Sequence, residues 1–178
     1  MFLETDRLIL KKYNITDLED YFQLKSCNEI WKFSTNVPIK DRNIVKNQLL
    51  ELIEKQIEVD LGFCSLIEKS SNLYIGEAGI LSINNITKRC VVGYNLLPEF
   101  WNKGYATEIT KELLKYAFVT LSLERVEALA LQVNIASCKV LEKSGFSKEG
   151  ILRHFTKIDG LYYDVCYYGI IKSDFFGK

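Results

Sequence analysis

The stretch over residues 91–118, VVGYNLLPEFWNKGYATEITKELLKYAF, constrains this chain most, because a strand pattern there passes through a short loop into a long helix pattern. The apolar run 91–97 carries Gly93 in its middle and ends at Pro98, which has no N–H for a ladder and so stops pairing there. From Ala106 the period changes. Ala106, Ile109, Leu113 and Ala117 share one helical face, while Thr107, Lys111, Glu112 and Lys115 turn largely away from it. The joint is residues 101–105, with Gly104 where the chain turns.

A helix start leaves about four backbone N–H groups without partners in the helix, and the dipole adds about half a positive charge there. Such a place favours an anion, and a phosphate accepts several of these groups at once. Two readings of Gly104 stay open: it clears space for phosphate, or it only makes a tight turn. Neither GxxxxGK[ST] nor GxGxxG occurs in the chain.

The run Asn102-Lys103-Gly104-Tyr105-Ala106-Thr107-Glu108, following Pro98-Glu99-Phe100-Trp101, resembles the coenzyme A pyrophosphate loop of the GNAT superfamily of acyl-CoA N-acyltransferases. Within it, the chain is most similar to the RimJ/RimL-like branch, the ribosomal-protein N-terminal acetyltransferases, whose usual wording is WGKGYATE. Asn102 replaces the first glycine, and Trp101 stands where the wider superfamily often has Gln or Arg.

Length and charge bound the rest. The 178 residues are expected to form one domain over 1–178, with a single core. Lys plus Arg and Asp plus Glu number 23 each, so bulk attraction to nucleic acid or an anionic membrane is not expected. No apolar run approaches the roughly 18 residues of a membrane span, and the reading is a cytoplasmic protein without nucleic-acid or membrane partners, working as a monomer or homodimer. Five cysteines without a CxxC pair, and one histidine, His154, make no metal set; the thiols read as reduced.

The elements follow from period and punctuation. Residues 7–13 read as a first strand. Thr16 and Glu19 read as a capping box opening a helix to about Ser26. Residues 28–38 show no period; Trp31 and Phe33 there either lock the segment onto the core or line an acceptor groove. A second helix, Arg42–Val59, sets Ile44, Leu49, Leu52, Ile53 and Ile57 mostly along one face. Strands at Gly62–Glu68 and residues 73–83 form a meander into the central strand. Residues 125–133 read as a strand covered on both faces, residues 136–144 as a helix ended by Gly145, and Asp159-Gly160 as a hairpin turn between residues 151–157 and Leu161–Ile171.

This order is a mixed α/β (α+β) sheet, and it agrees with the single-domain fold the resemblance implies: about seven mostly antiparallel strands with a splayed central strand, and about four helices. Glu4-Thr5-Asp6-Arg7-Leu8, Gly76-Glu77, Gly93-Tyr94, Asn134-Ile135-Ala136-Ser137 and Lys143-Ser144-Gly145-Phe146 extend the resemblance over essentially the whole chain.

What it implies is an acetyl-CoA-dependent N-acetyltransferase with no metal, moving acetyl directly to a primary amine in a ternary complex. The acceptor is a protein N-terminal α-amine or a small molecule such as a polyamine or amino-sugar drug; a non-catalytic coenzyme A-binding regulator is the reading from another class. Asn102, Lys103, Gly104, Tyr105, Ala106 and Thr107 are expected at the pyrophosphate, and the backbone of Leu96 and Leu97 at pantetheine where the strand splays beyond 93–96, unless those leucines are only core. Asn134 is expected to hold pantetheine and Ser137 to stand near the sulfur as proton donor, since Leu141 occupies the place of the usual tyrosine. Either Asn134 or Ser137 also suits a helix cap. Glu77 is the most suggestive base, though alternation can equally turn it to solvent. Relatives often carry a Glu shortly before the Gly-Tyr pair, where this chain has Val91.

Overall fold

Leu8 and Leu10 are fully buried while Ile9 and Lys11 are half covered, and this period of two makes Leu8–Lys11 a strand, β2. It pairs antiparallel with a three-residue strand, β1 (Phe2–Glu4), through Leu3 opposite Leu10. The computed structural model describes all residues except Met1, Thr35, Asp60, Leu61 and Lys178, and only the backbone of Glu58 and Val59. Next come α1 (Leu18–Ser26), α2 (Asn28–Trp31) and α3 (Arg42–Val59), then the meander β3 (Gly62–Glu68), β4 (Leu73–Asn84) and β5 (Arg89–Leu96). The helix α4 (Tyr105–Lys115) runs on as a wide π-type turn over Tyr116–Thr120 and crosses to β6 (Arg125–Leu131). After α5 (Ile135–Lys143), the hairpin β7 (Ser147–Ile158) and β8 (Leu161–Ile171) closes the sheet, followed by α6 (Lys172–Phe176).

The result is one mixed sheet in the order β1-β2-β3-β4-β5-β6-β8-β7, with β5 and β6 parallel. The class agrees with expectation, but the described residues form eight strands and six α-helices rather than about seven and four. The additions are short (β1, α2 and α6), too brief to show a period. Asp159 and Gly160 both have positive φ, 48° and 82°, as the tight hairpin turn requires.

Two local expectations are corrected. The N-terminal capping box belongs to Asn14 and Asp17, not Thr16 and Glu19: Asn14 Oδ1 accepts from Thr16 N–H at 2.8 Å, and Asp17 Oδ2 accepts from Asn14 N–H at 3.0 Å. Glu19 is free of the cap and pairs with Arg42 of α3 instead. On α3 the buried positions are Val45, Leu49 and Gln56, while Ile44 and Ile57 are exposed, so the inward face is rotated from the expected one. Gln56 reaches inward because its amide donates to the Phe63 carbonyl and accepts from Tyr13 N–H.

The two faces of the sheet carry different helices. Tyr94 and Asn95 are neighbours on β5 and so point to opposite faces; Asn95 reaches the side of α1, and Tyr94 reaches α5. On the α4–α5 side, Ile109 and Leu113 of α4 and Ala117 of the π-type turn that continues it are fully buried, as their shared helical face predicted. Each large aliphatic side chain so covered contributes about 1.5–3 kcal/mol, enough to seat the helix firmly.

Candidate active site

The site begins where the ladder stops. β5 pairs with β6 only through Arg89–Arg125, Cys90–Val126 and Val91–Glu127. Beyond that, β5 keeps its partner β4 as far as Leu96, and β6 keeps β8 as far as Leu131. The two strands diverge and a wedge opens between them, beginning directly after Val91 rather than near Leu96. The closed end is fastened by charge: Glu127 Oε1 accepts from Arg89 at 3.1 Å and from Arg125 at 2.8 Å, and Arg125 also holds Glu149 at 2.7 Å.

At the open end the ladder decides which backbone groups face the wedge. Leu97 N–H donates to the Ile75 carbonyl at 2.9 Å. Antiparallel pairing alternates, so the N–H and C=O of Leu96 point the other way, into the wedge. The Leu96 carbonyl takes the Trp101 indole N–H at 2.7 Å, while its N–H meets no β6 ladder. Leu97 is therefore corrected: its N–H is spent on Ile75, its carbonyl on Phe100 N–H at 3.0 Å, and its side chain is buried. Of the two leucines, only Leu96 offers backbone to a ligand.

Trp101 also ties the wedge to the loop before α4. There Asn102 and Gly104 both adopt left-handed φ, 59° and 83°, and Gly104 is the N-cap of α4 without any side-chain cap. The first intrahelical bond runs from Glu108 N–H to the Gly104 carbonyl at 3.0 Å, which leaves the N–H groups of Tyr105, Ala106 and Thr107 without helical acceptors. A Cβ on Gly104 would meet nothing closer than Arg7 at 3.4 Å, so the glycine is required here by φ rather than by crowding. The side chains divide the work. Tyr105 turns inward, its hydroxyl donating to Glu68 at 2.6 Å, so only its N–H remains for an anion. Lys103 is exposed, with its ammonium 5.1 Å from the Phe100 ring.

A clamp unforeseen in the sequence fixes that loop. Glu108 accepts from Thr5 Oγ1 at 2.6 Å, from Arg7 N–H at 3.0 Å and from Arg7 Nε at 2.6 Å, while Arg7 Nη1 donates to the Lys103 carbonyl at 3.0 Å. Burial pushes the Glu108 carboxyl up, but the Thr5 and Arg7 hydrogen bonds together outweigh it and hold it below the usual carboxylate range.

On the far wall, Asn134 caps α5: its Oδ1 accepts from Ser137 N–H at 3.1 Å. Ser137 Oγ lies 3.0 Å from the Tyr94 hydroxyl, so one hydrogen bond spans the wedge from strand to helix. Burial pushes the Tyr94 phenol up to about 12. Leu141 is buried in the core, yet a phenol still reaches Ser137, from the opposite wall. Alternation along β5 carried a signal for it, since Tyr94 and Leu96 share a face.

Glu77 sits on the other side of the sheet with no exposed surface. Lys25 Nζ lies 2.9 Å and 3.2 Å from its two oxygens, and Asn95 Nδ2 donates to it at 2.8 Å. The Lys25 ammonium is ringed by Tyr21, Trp31 and Phe63 at 4.8, 5.0 and 5.8 Å from their centroids. A base needs a lone pair turned to the acceptor, and Glu77 has both oxygens committed to an ion pair, so the expectation of a base there is corrected. Nothing in α1 announced Lys25, because the contact joins residues far apart in the chain. Trp31 is buried, its indole donating to the Leu24 and Lys25 carbonyls, and it lines a hollow of about 460 Å³ between α2 and the β7–β8 turn. A hollow of about 740 Å³ beside α4 touches neither Leu96, Gly104, Asn134 nor Ser137.

Burial, then Glu127, pushes Cys90 up to about 12, and burial raises Cys138.

Comparison with known proteins gives the family. The model for the acetyltransferase (GNAT) domain matches residues 7–147. An uncharacterised N-acetyltransferase, p20, of Bacillus licheniformis is 31% identical over 175 residues, covering 98% of each chain. The putative ribosomal N-acetyltransferase YdaF of Bacillus subtilis is 34% identical over 110 residues, 60% of each chain. Spermidine N-acetyltransferase from Vibrio cholerae, solved with CoA and spermine, superposes with a TM-score of 0.84 at 24% identity, over 97% of this chain and 99% of that one. With a diverging β5–β6 pair, an uncapped helix start beside it and the family model covering most of its length, the chain is a GNAT-family N-acetyltransferase.

Proposed function

We propose that the protein transfers acetyl from acetyl-CoA to the α-amine of a protein N-terminus, directly and in a ternary complex. The observation that carries this reading is the wedge, in which the N–H of Leu96 faces a space walled by Ser137, beside a helix start with three unclaimed N–H groups. The residues fit the donor substrate. Residues 102–107 supply backbone N–H groups and the Lys103 charge for a pyrophosphate. In this reading Leu96 N–H acts as a single oxyanion donor, and the Asn134 NH₂ donates to a pantetheine amide. Ser137 supplies a hydroxyl for the departing sulfur. With Glu77 engaged by Lys25, loss of the acceptor's proton falls to water.

The charges on the acceptor side support an α-amine over a polycation. Glu77 is balanced by Lys25, and in the hollow beyond Trp31 the acidic Glu29 and Asp159 are matched by Lys32 and Lys157. A site built for a polyamine needs excess negative charge, and the described residues lining this hollow carry two acidic and two basic side chains. The second reading, a small polyamine as acceptor, is favoured by the likeness to the spermidine enzyme.

An acceptor screen with thiol-release detection separates the two. Peptides beginning with alanine or serine should show kcat/KM at least about tenfold above spermidine, a difference of about 1.4 kcal/mol in transition-state binding. The opposite ranking replaces the protein acceptor with a polyamine.

A further inference from the structure

We infer that Tyr94 is a positioning residue for Ser137: its phenol donates to Ser137 Oγ and so turns the serine's own proton into the wedge. The inference rests on the reading of Ser137 as donor to the departing sulfur. Its ground is the 3.0 Å contact between the two hydroxyls, one on β5 and the other on the first turn of α5. In such a pair one hydroxyl donates and the other accepts. The phenol is the more acidic partner and hence the better donor. Once it donates, the serine proton has no use within the pair, and the space beside it is the wedge.

The rest of the site holds this arrangement still. Asn134 Oδ1 fixes the Ser137 backbone at 3.1 Å, and Tyr94 stands two residues before Leu96 on the same strand face. The Leu96 N–H and the serine proton thus belong to the same opening, one suited to the carbonyl oxygen and the other to the sulfur. As the C–S bond breaks, its electron pair stays on sulfur and is met by the Ser137 hydrogen bond; the thiolate then takes its proton from water.

Tyr94 does not itself give up its proton. The phenol is pushed up to about 12, whereas a thiol lies near 8.5, so a transfer from phenol to thiolate runs uphill by about three powers of ten. The serine hydroxyl, less acidic still, does not give up its proton either: Tyr94 orients by donating to Ser137 Oγ, and Ser137 offers the thiolate a hydrogen bond only. A tyrosine at Leu141 would have combined both tasks in one residue; here two walls of the wedge share them.

The test is a double-mutant cycle on the full chain with acetyl-CoA and an accepted amine. Tyr94→Phe keeps the ring and removes the hydroxyl, so the melting temperature should hold and acetyl-CoA affinity by calorimetry should stay within about twofold. Its kcat should fall about three- to tenfold, the worth of one hydrogen bond. In a Ser137→Ala background the same change should cost nothing further, because the group being oriented is gone. An equal loss in both backgrounds, or a loss in affinity as large as the loss in kcat, overturns the inference and makes Tyr94 a packing residue. If Ser137→Ala lowers kcat and Tyr94→Phe does not, Tyr94 alone is misassigned. If Ser137→Ala leaves kcat intact, the donor reading falls and the Tyr94 role falls with it.

Discussion

Two helices begin beside the wedge, and they begin differently. At α5 the chain caps itself, with Asn134 Oδ1 on Ser137 N–H and the Asn134 carbonyl on Cys138 N–H at 3.1 Å. At α4 the N-cap is a glycine with no side chain to offer, and its first-turn N–H groups stay open. The uncapped end is nonetheless the more tightly fastened, because Thr5 and Arg7 reach across about a hundred positions of sequence to hold Glu108 and the Lys103 carbonyl. The lesson is that a helix start can be made rigid without using up its donors. In α4 the fixing contacts fall on a side chain one turn in and on a loop carbonyl, which keeps the N–H groups available for an anion.

The harshest way to break that contrast is to give α4 an anionic cap of its own. Gly104→Asp places a carboxylate where the phosphate reading needs donors, and forces a side chain into a φ of 83°. Coenzyme A affinity by calorimetry should fall by about a hundredfold or more, the loss of two or more charge-assisted hydrogen bonds at about 1.5–3 kcal/mol each. Unchanged affinity in a folded variant means the pyrophosphate lies elsewhere and Gly104 only turns the chain.

Loosening the clamp is gentler. Glu108→Gln keeps the shape but loses the charge, and should cost about 1–2 kcal/mol at pH 7, or roughly 2–8 °C in Tm for a chain of this size. The folded carboxyl holds its proton less tightly than the unfolded one, near 4.3. The stability it contributes is therefore complete above that value and is lost as pH falls through the lower folded pKa. The Tm gap between wild type and variant should be full at pH 7 and close as the pH drops below about 4. A gap that persists in acid would show that the clamp works through shape rather than charge.

How much of this was legible in the sequence follows from how local each signal was. The strand–loop–helix of residues 91–118 could be read because period, Pro98 and Gly104 act within a few residues of one another. The cap at Asn134 could be read as one of two roles, since capping needs only the next turn. Asn14 was missed because Thr16 and Glu19 present the same pattern two residues on, and the choice was settled by Arg42, which draws Glu19 away. Lys25 could not be found at all: its partner Glu77 lies 52 positions later, and only the fold brings α1 over β4. Leu97 was misread for a related reason, because ladder phase, set by Ile75, decides which of two adjacent leucines faces the wedge.

The finest probe of the contrast is at the capped end. Asn134 has an oxygen that caps α5 and an NH₂ that the cap does not use, so one substitution can split the two roles. Asn134→Asp keeps a capping acceptor and adds a negative charge where the helix dipole welcomes one, worth about 0.3–1 kcal/mol, so Tm should stay level or rise. Asn134→Ala loses the cap and should cost about 0.5–2 kcal/mol. If the NH₂ also donates to a pantetheine amide, both variants should raise the acetyl-CoA KM by about two- to tenfold, the worth of one neutral hydrogen bond, with kcat nearly unchanged. A KM that follows stability, normal in Asp and raised in Ala, would mean that Asn134 serves the donor only by holding Ser137 in place. The two helix starts would then differ completely, one closed on itself and the other left open to substrate.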